Sequence, residues 1–232
     1  MRAMILAAGR GERMRPLTDH TPKPLLNVAG KPLIVWHIER LVKAGLTDIV
    51  INHAWLGHKI EAALGNGEAF GARLHYSAEP KALETAGGIA NALPLLGTEP
   101  FLVINGDVWC DWPIELALKH SASLCERKLA AWLVLVGNPP HNPEGDFYLE
   151  TDGYIHAGPT DQNTFKFTFS GIGVYSPDLF GSIAQDEPAP LAPLLRSAMA
   201  SRKIIGSHYN GRWVDVGTPE RLAALDRQLT GH

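Results

Sequence analysis

Arg2 to Leu6 is a short apolar run, and the chain leaves it through Leu6-Ala7-Ala8-Gly9-Arg10-Gly11-Glu12-Arg13-Met14-Arg15-Pro16-Leu17-Thr18, with Pro22-Lys23-Pro24-Leu25 close behind. A strand that ends in a glycine-bearing basic loop, with an amphipathic helix to follow, constrains the fold more than any other stretch. It points to an open α/β sheet, whose ligands bind at the carboxyl ends of the strands. Gly9 and Gly11 remove side chains, so backbone N–H groups can turn onto an anion. Six cations (Arg2, Arg10, Arg13, Arg15, Lys23, Lys31) against Glu12 and Asp19 leave the first 31 residues at +4, in a chain whose net charge is −3. That local reversal suits a polyphosphate better than a nucleic acid, which needs a broad basic face.

Two familiar phosphate loops are excluded. The dinucleotide fingerprint G-x-G-x-x-G meets Met14 where its third glycine belongs, and no G-K-[ST] run occurs. No G-x-S-x-G elbow and no His or Cys metal spacing is present either. The ten histidines therefore read as surface or packing residues, and the six tryptophans as core or pocket wall.

Helical spacing over Pro32 to Ala44, with Pro32 in the first turn and Gly45 as a stop, predicts the first helix. Thr47 to Asn52, Arg73 to Ser77 and Pro100 to Asn105 predict strands, separated by helices at His58 to Leu64 and from Glu84 onward. Trp112 to Cys125 reads as a helix and Lys128 to Val136 as a long central strand. This alternation argues for a parallel sheet with right-handed crossovers. Beyond Gly137 short strands at Phe147 to Glu150, Tyr154 to His156 and Phe165 to Tyr175 predict an antiparallel excursion. Helices at Leu191 to Ala200 and Pro219 to Gln228 close the chain around a strand at Lys203 to His208. No linker divides it, so residues 1–232 form one domain of two lobes, approximately 1–136 and 137–232.

Asp107, in Asn105-Gly106-Asp107, and Asp215, in Trp213-Val214-Asp215-Val216, each sit just past or within a strand end. Hard carboxylate oxygens of this kind suit Mg²⁺, which takes one or two carboxylates and completes its shell with phosphate and water. Either aspartate alone reads as a turn or cap residue. Gly87-Gly88 can pass a flat ring or a sugar over the backbone, or can merely open a helix. Cys110 and Cys125 form no paired motif, which fits a reducing cytoplasm. No stretch reads as a secretion signal or membrane span.

L-A-A-G-x-G-x-R-M-x-P-L-T followed by P-K-P-L resembles the signature of the sugar-1-phosphate nucleotidyltransferases. Ile51-Asn52-His53-Ala54-Trp55-Leu56-Gly57, Glu84-Thr85-Ala86-Gly87-Gly88, Asn105-Gly106-Asp107-Val108-Trp109 and Trp213-Val214-Asp215-Val216-Gly217-Thr218 are similar to the N-acetylmuramate-1-phosphate uridylyltransferase branch. The resemblance implies a Rossmann-like three-layer α/β/α fold with a mixed, mostly parallel sheet and a smaller antiparallel sugar-binding lobe. It implies a Mg²⁺-dependent enzyme acting on a nucleoside triphosphate and a sugar 1-phosphate, without nucleic acid or membrane, as a cytoplasmic monomer serving cell-wall recycling. On this reading Arg13 and Lys23 are catalytic, and Asp107 and Asp215 hold the metal. Ala8, Gly9, Gly11, Glu12, Arg13, Lys23, Gly87, Gly88 and Asn105 face the nucleotide. Asp146, Glu150 and Gly171 face the sugar, although Asp146 also reads as a hairpin-turn residue and Gly171 as a tight strand crossing.

One departure bears on the sugar. Many hexose-specific relatives carry Glu-Lys-Pro in the second lobe, and Gly158-Pro159-Thr160 through Lys166 lacks it. That weakens glucose or mannose phosphate as substrates and fits a bulkier, lactyl-bearing sugar. A hexose-1-phosphate guanylyl- or thymidylyltransferase is the alternative within the family. A nucleotide-sugar sensor without turnover is the alternative outside it, and a dehydrogenase is disfavoured by the missing glycine.

Overall fold

The computed structural model describes residues 1–159 and 164–231. The segment lacking Glu-Lys-Pro falls partly on 160–163, outside the described residues. β1 (Ala3–Leu6) runs through two 3₁₀ turns, Glu12–Met14 and Lys23–Leu25, to a hairpin of β2 (Asn27–Val28) and β3 (Lys31–Pro32). There follow α1 (Leu33–Lys43), β4 (Asp48–His53), α2 (Gly57–Leu64), β5 (Arg73–Ala78), α3 (Glu84–Leu96) and β6 (Phe101–Asn105). Next come β7 (Val108–Cys110), α4 (Leu116–Arg127), β8 (Ala131–Val136), β9 (Phe147–Leu149), β10 (Ile155–His156) and the long β11 (Phe165–Tyr175). The chain ends with α5 (Leu191–Ala200), β12 (Ile204–Tyr209), β13 (Trp213–Asp215) and α6 (Pro219–Thr230).

The main sheet has the order β5-β4-β1-β6-β11-β8-β12. β5, β4, β1 and β6 are parallel, β11 is antiparallel to both β6 and β8, and β12 is parallel to β8. The sheet is thus mixed, with strands from both halves of the sequence. Because β11 runs against β6, its middle lies beyond Asn105, at the edge where β1, β4 and β6 end. The amino-terminal part of β11 pairs with β9, and β9 with β10, giving the small antiparallel extension.

Period-2 alternation builds three layers. Ala3, Ile5, Ile49 and Ile51 face Ile34, Ile38 and Leu41 of α1 on one side. Met4 and Val50 face Ala86, Ile89 and Ala92 of α3 on the other, with Leu195 and Met199 of α5 in the same cluster. A third cluster of Val28, Leu33, Trp109, Val216 and Leu225 ties the β2–β3 hairpin to β7 and α6. α6 begins as its sequence predicts, with Pro219 in the first turn and the Thr218 hydroxyl accepting the Arg221 N–H at 3.4 Å. α4 starts later than the apolar pattern predicts. Trp112 and Ile114 are buried in the main core ahead of it, with Pro113 between them, so their hydrophobicity marks packing rather than helix. Among the described residues no helix is long and apolar enough to cross a membrane.

Candidate functional site

Three cavities of about 220, 520 and 260 Å³ lie along the carboxyl edge of the sheet, and Asn105 lines all of them. Ala8, Gly9, Lys23, Asn52 and Thr85 line the first. Asp146, Phe147, Phe169 and Arg196 line the second. Arg13, Asp107, Asp215, Trp213, His141 and Gly171 line the third.

The loop after β1 divides its cations. Arg10 stacks its guanidinium 4.6 Å from the Trp55 ring centroid, and Arg15 pairs with Asp19 at 3.0 Å. Arg13 and Lys23 are the two that line cavities. Gly11 has φ +67°, and a Cβ there would lie 3.0 Å from Thr18 Cγ2 and 3.2 Å from Lys23 Cβ. A Cβ on Gly9 would meet no protein atom within 4 Å and would project beside the cavity that Gly9 lines. The two glycines therefore separate by experiment. Gly11→Ala is expected to lose roughly 1–2 kcal/mol of stability from its left-handed backbone. Gly9→Ala is expected to melt within about 0.5 kcal/mol of wild type, as thermal denaturation would register.

The two aspartates are brought together by a short ribbon. β7 pairs with β13 so that Asp215 sits opposite Val108, and the Val216 N–H donates to the Asp107 carbonyl at 2.8 Å. Lys23 Nζ donates to Asp107 Oδ2 at 2.7 Å. Asp215 Oδ2 accepts from Arg221 Nη1 at 2.7 Å and lies 3.1 Å from His141 Nε2. Gly217 makes room for this group. A Cβ at 217 would lie 2.3 Å from Arg221 Nη2, 3.0 Å from Asp215 Oδ1 and 3.1 Å from Arg13 Nη2. Asp107 and Asp215 line one cavity, with His141 beside Asp215, and among the described residues no three His, Cys, Asp or Glu side chains are grouped to hold a metal by themselves, so phosphate oxygens and water would have to complete its shell. The donor set therefore fits a hard divalent cation bound together with a phosphorylated substrate.

On the far side, a bulge in β11 between Phe169 and Gly173 turns Ser170 and Gly171 into the third cavity. Gly171, at φ +80°, approaches Asn105 so closely that a Cβ would lie 2.7 Å from its Nδ2. Trp213 Nε1 donates to the Ser170 carbonyl at 2.8 Å and walls the same cavity. Asp146 lines the second cavity with both oxygens engaged: Oδ2 accepts the Phe169 N–H at 2.8 Å and Oδ1 the Asn142 amide at 3.2 Å.

Five sequence-predicted residues line none of the three cavities, Gly11 among them. Gly87 and Gly88 are buried, and the chain itself fills the space they leave. A Cβ on Gly87 would lie 2.4 Å from the Glu187 carbonyl, and one on Gly88 2.7 Å from Glu79 Oε1. Their close approach is to protein, and Glu84 and Thr85 line the cavity in their place. Glu150 pairs with Arg202 and His156 at 3.4 and 3.2 Å and lines none of the three cavities. Glu12 is exposed on the first 3₁₀ turn and also lines none.

The family model described as "Nucleotidyl transferase" matches residues 2–231. The chain belongs to this family. A relative from Neisseria meningitidis serogroup B, named N-acetylmuramate alpha-1-phosphate uridylyltransferase, is 57% identical over 96% of this nucleotidyl transferase and 95% of its own length. One of the same name from Caulobacter vibrioides is 34% identical over 98% and 96%. A mannose-1-phosphate guanyltransferase beta-A from Xenopus laevis is 31% identical, over 95% of this chain and 62% of its own. A solved structure described as a putative glucose-1-phosphate thymidylyltransferase from Bacillus anthracis superposes with a TM-score of 0.84 at 22% identity, covering 100% of this chain and 96% of that one. That likeness is one of fold.

The sequence reading of the nucleotidyl transferase misses His141, Arg196, Arg221 and the Asn52–Glu79 pair. No local motif marks His141, Arg196, Arg221 or Glu79, although Asn52 lies in the quoted Ile51-Asn52-His53 stretch. His141 is exposed, as the surface reading expects, and lines the third cavity beside Asp215, whereas His120 packs, its ring 3.5 Å from the Trp132 ring. Burial pushes the His120 imidazole down to about 4. Both cysteines are free, and burial pushes the Cys110 thiol up to about 11, away from use as a nucleophile.

Proposed function

We propose that this protein transfers a uridylyl group from UTP to N-acetylmuramate 1-phosphate, releasing pyrophosphate and forming UDP-N-acetylmuramate for reuse in the cell wall. The observation that carries the reading is the gathering of Asp107, Asp215, Lys23 and Arg13 at cavities that share Asn105. Transfer of this kind needs little covalent help. Both reactants are anionic, so the protein must neutralise charge and hold them in line. A phosphate oxygen of the sugar 1-phosphate attacks the α-phosphorus; the new P–O bond forms as the α–β bridge breaks and pyrophosphate departs. No general base is required, because the attacking monoester is already ionised near neutral pH.

Lys23, a compact charge, is assigned to the α-phosphate and the charge that develops there. Arg13, with its planar fork, is assigned to the β- and γ-phosphates. Asp107 and Asp215 would hold Mg²⁺, which would neutralise phosphoryl oxygens. Both carboxylates are now paired with cations, so their charge is already compensated before any ligand arrives. Among the described residues Arg196 is the cation lining the second cavity, where an anionic sugar needs a counter-charge. Residues 1–136 then supply most of the nucleotide half and 137–232 most of the sugar half. The names of the two uridylyltransferase relatives support the choice of base and sugar. We further assign it to the cytoplasm as a monomer, a state that light scattering would check.

The decisive measurement is pyrophosphate release in a matrix of UTP, GTP, dTTP and ATP against N-acetylmuramate-, glucose-, mannose- and N-acetylglucosamine 1-phosphate. The expected maximum is UTP with the muramyl sugar. A maximum at GTP with mannose phosphate, or dTTP with glucose phosphate, would replace this reading by the hexose-specific one. Nucleotide binding with no turnover in any pair would leave a sensor.

A further inference from the structure

Beneath the first cavity, which on the proposed function is the nucleotide cavity, lies a buried carboxylate that the chemistry above does not use. Glu79, 5% exposed, directly follows β5, and its own N–H donates to the His53 carbonyl at 2.8 Å. Its Oε1 accepts from Asn52 Nδ2 at 2.7 Å, and its Oε2 accepts the Leu83 N–H at 2.9 Å. Asn52, 2% exposed, turns its Oδ1 the other way and accepts the Ala7 N–H at 2.9 Å. Gly88 closes over both: a Cβ there would lie 2.7 Å from Glu79 Oε1 and 2.8 Å from Asn52 Nδ2.

The direction of this network is dictated by charge. An ionised carboxylate offers acceptors and no donor, whereas a primary amide offers an accepting oxygen on one side and a donating NH₂ on the other. Glu79 therefore forces the NH₂ of Asn52 towards itself, which leaves the amide oxygen for Ala7. Burial pushes the Glu79 carboxyl above its usual range, opposed by the two N–H donors that hold its charged form. Ala7 begins the phosphate loop and lines the nucleotide cavity, and Leu83 immediately precedes Glu84 and Thr85, which line it too. A single buried side chain thus ties the phosphate end of the cavity to the segment at its other wall.

We propose that Glu79 is a positioning residue for the nucleotide. Through Asn52 it fixes the first peptide of the phosphate loop, and through Leu83 it fixes the approach to Thr85. The inference rests on the reading of this cavity as a nucleoside triphosphate site, and its test reads nucleotide binding without any choice of sugar. Glu79→Gln places an amide NH₂ where an acceptor is needed, opposite either the Leu83 N–H or the Asn52 NH₂. It is expected to weaken UTP binding about tenfold in calorimetric titration. The KM for UTP should rise with it while the KM for the sugar phosphate holds.

The paired variant Asn52→Asp/Glu79→Gln rebuilds the pattern. The new carboxylate at 52 accepts from Ala7 and from the new amide at 79, whose oxygen is left for Leu83. Recovery of most of the lost UTP affinity is the expected result, and it decides the matter even if the single variant melts too low to assay. A paired variant as weak as the single one, or a single variant that binds UTP like wild type, would overturn the positioning role. Failure of the wild-type protein to bind UTP would overturn the proposed function instead.

Discussion

Replacing Lys23 by alanine is expected to lower kcat for nucleotidyl transfer by about 10²–10³, the usual loss on removing one preorganised charge that meets a developing anion. Its Nζ is only 2.7 Å from Asp107, and the residue is 8% exposed, so the ammonium is held at the cavity wall before substrate arrives. Stability should fall much less. The Asp107 side chain is 42% exposed, so the pair is screened by water and contributes at most about 1 kcal/mol. For a chain of this size that corresponds to roughly 2–4 °C in Tm. A large drop in turnover beside a small shift in melting is the signature of a group used in the transition state. Near-normal turnover would remove Lys23 from the mechanism, and a collapse of melting would recast it as a structural residue.

Lys23 was legible in the sequence because it sits in a local signal: a strand, two glycines, a run of cations and Pro-Lys-Pro. The alternation of strands and helices up to β8 was legible for the same reason, since period-2 and period-3.6 patterns are properties of contiguous residues. β7 was not. It has three residues, and its partner β13 lies more than one hundred positions away, so only the folded chain pairs them. The proximity of Asp107 and Asp215 follows from that pairing and was open to sequence reading only through family resemblance. Gly87 and Gly88 show the opposite case. Adjacent glycines announce a close approach, but the sequence does not say whether a ligand or the chain comes close, and here it is the Glu187 carbonyl and the Glu79 carboxylate. The pairing of Glu150 with Arg202 is equally illegible, since it depends on a residue 52 positions distant.

Asp107→Asn is the second large effect, and it separates the metal from the lysine. If Asp107 binds Mg²⁺ directly, the variant should need at least about 10-fold more Mg²⁺ for half-maximal rate, because even an outer-shell partner of a metal ligand is worth that much. Asparagine keeps one carbonyl oxygen and nearly the same volume, so the ribbon of β7 and β13 should survive. Asp215→Asn is a poorer probe: that carboxylate is 18% exposed and holds Arg221, so removing its charge strands a half-buried cation as well. The pair Lys23–Asp107 also predicts non-additivity. Residues in direct contact do not contribute independently, and Lys23→Ala in an Asp107→Asn background should cost less than it does alone, since part of the single-variant loss is the carboxylate left without its cation. Additive losses would mean that the 2.7 Å contact is broken throughout turnover. An unchanged Mg²⁺ titration in Asp107→Asn would dismiss this carboxylate as a ligand, leaving its pairing with Lys23 as its whole contribution.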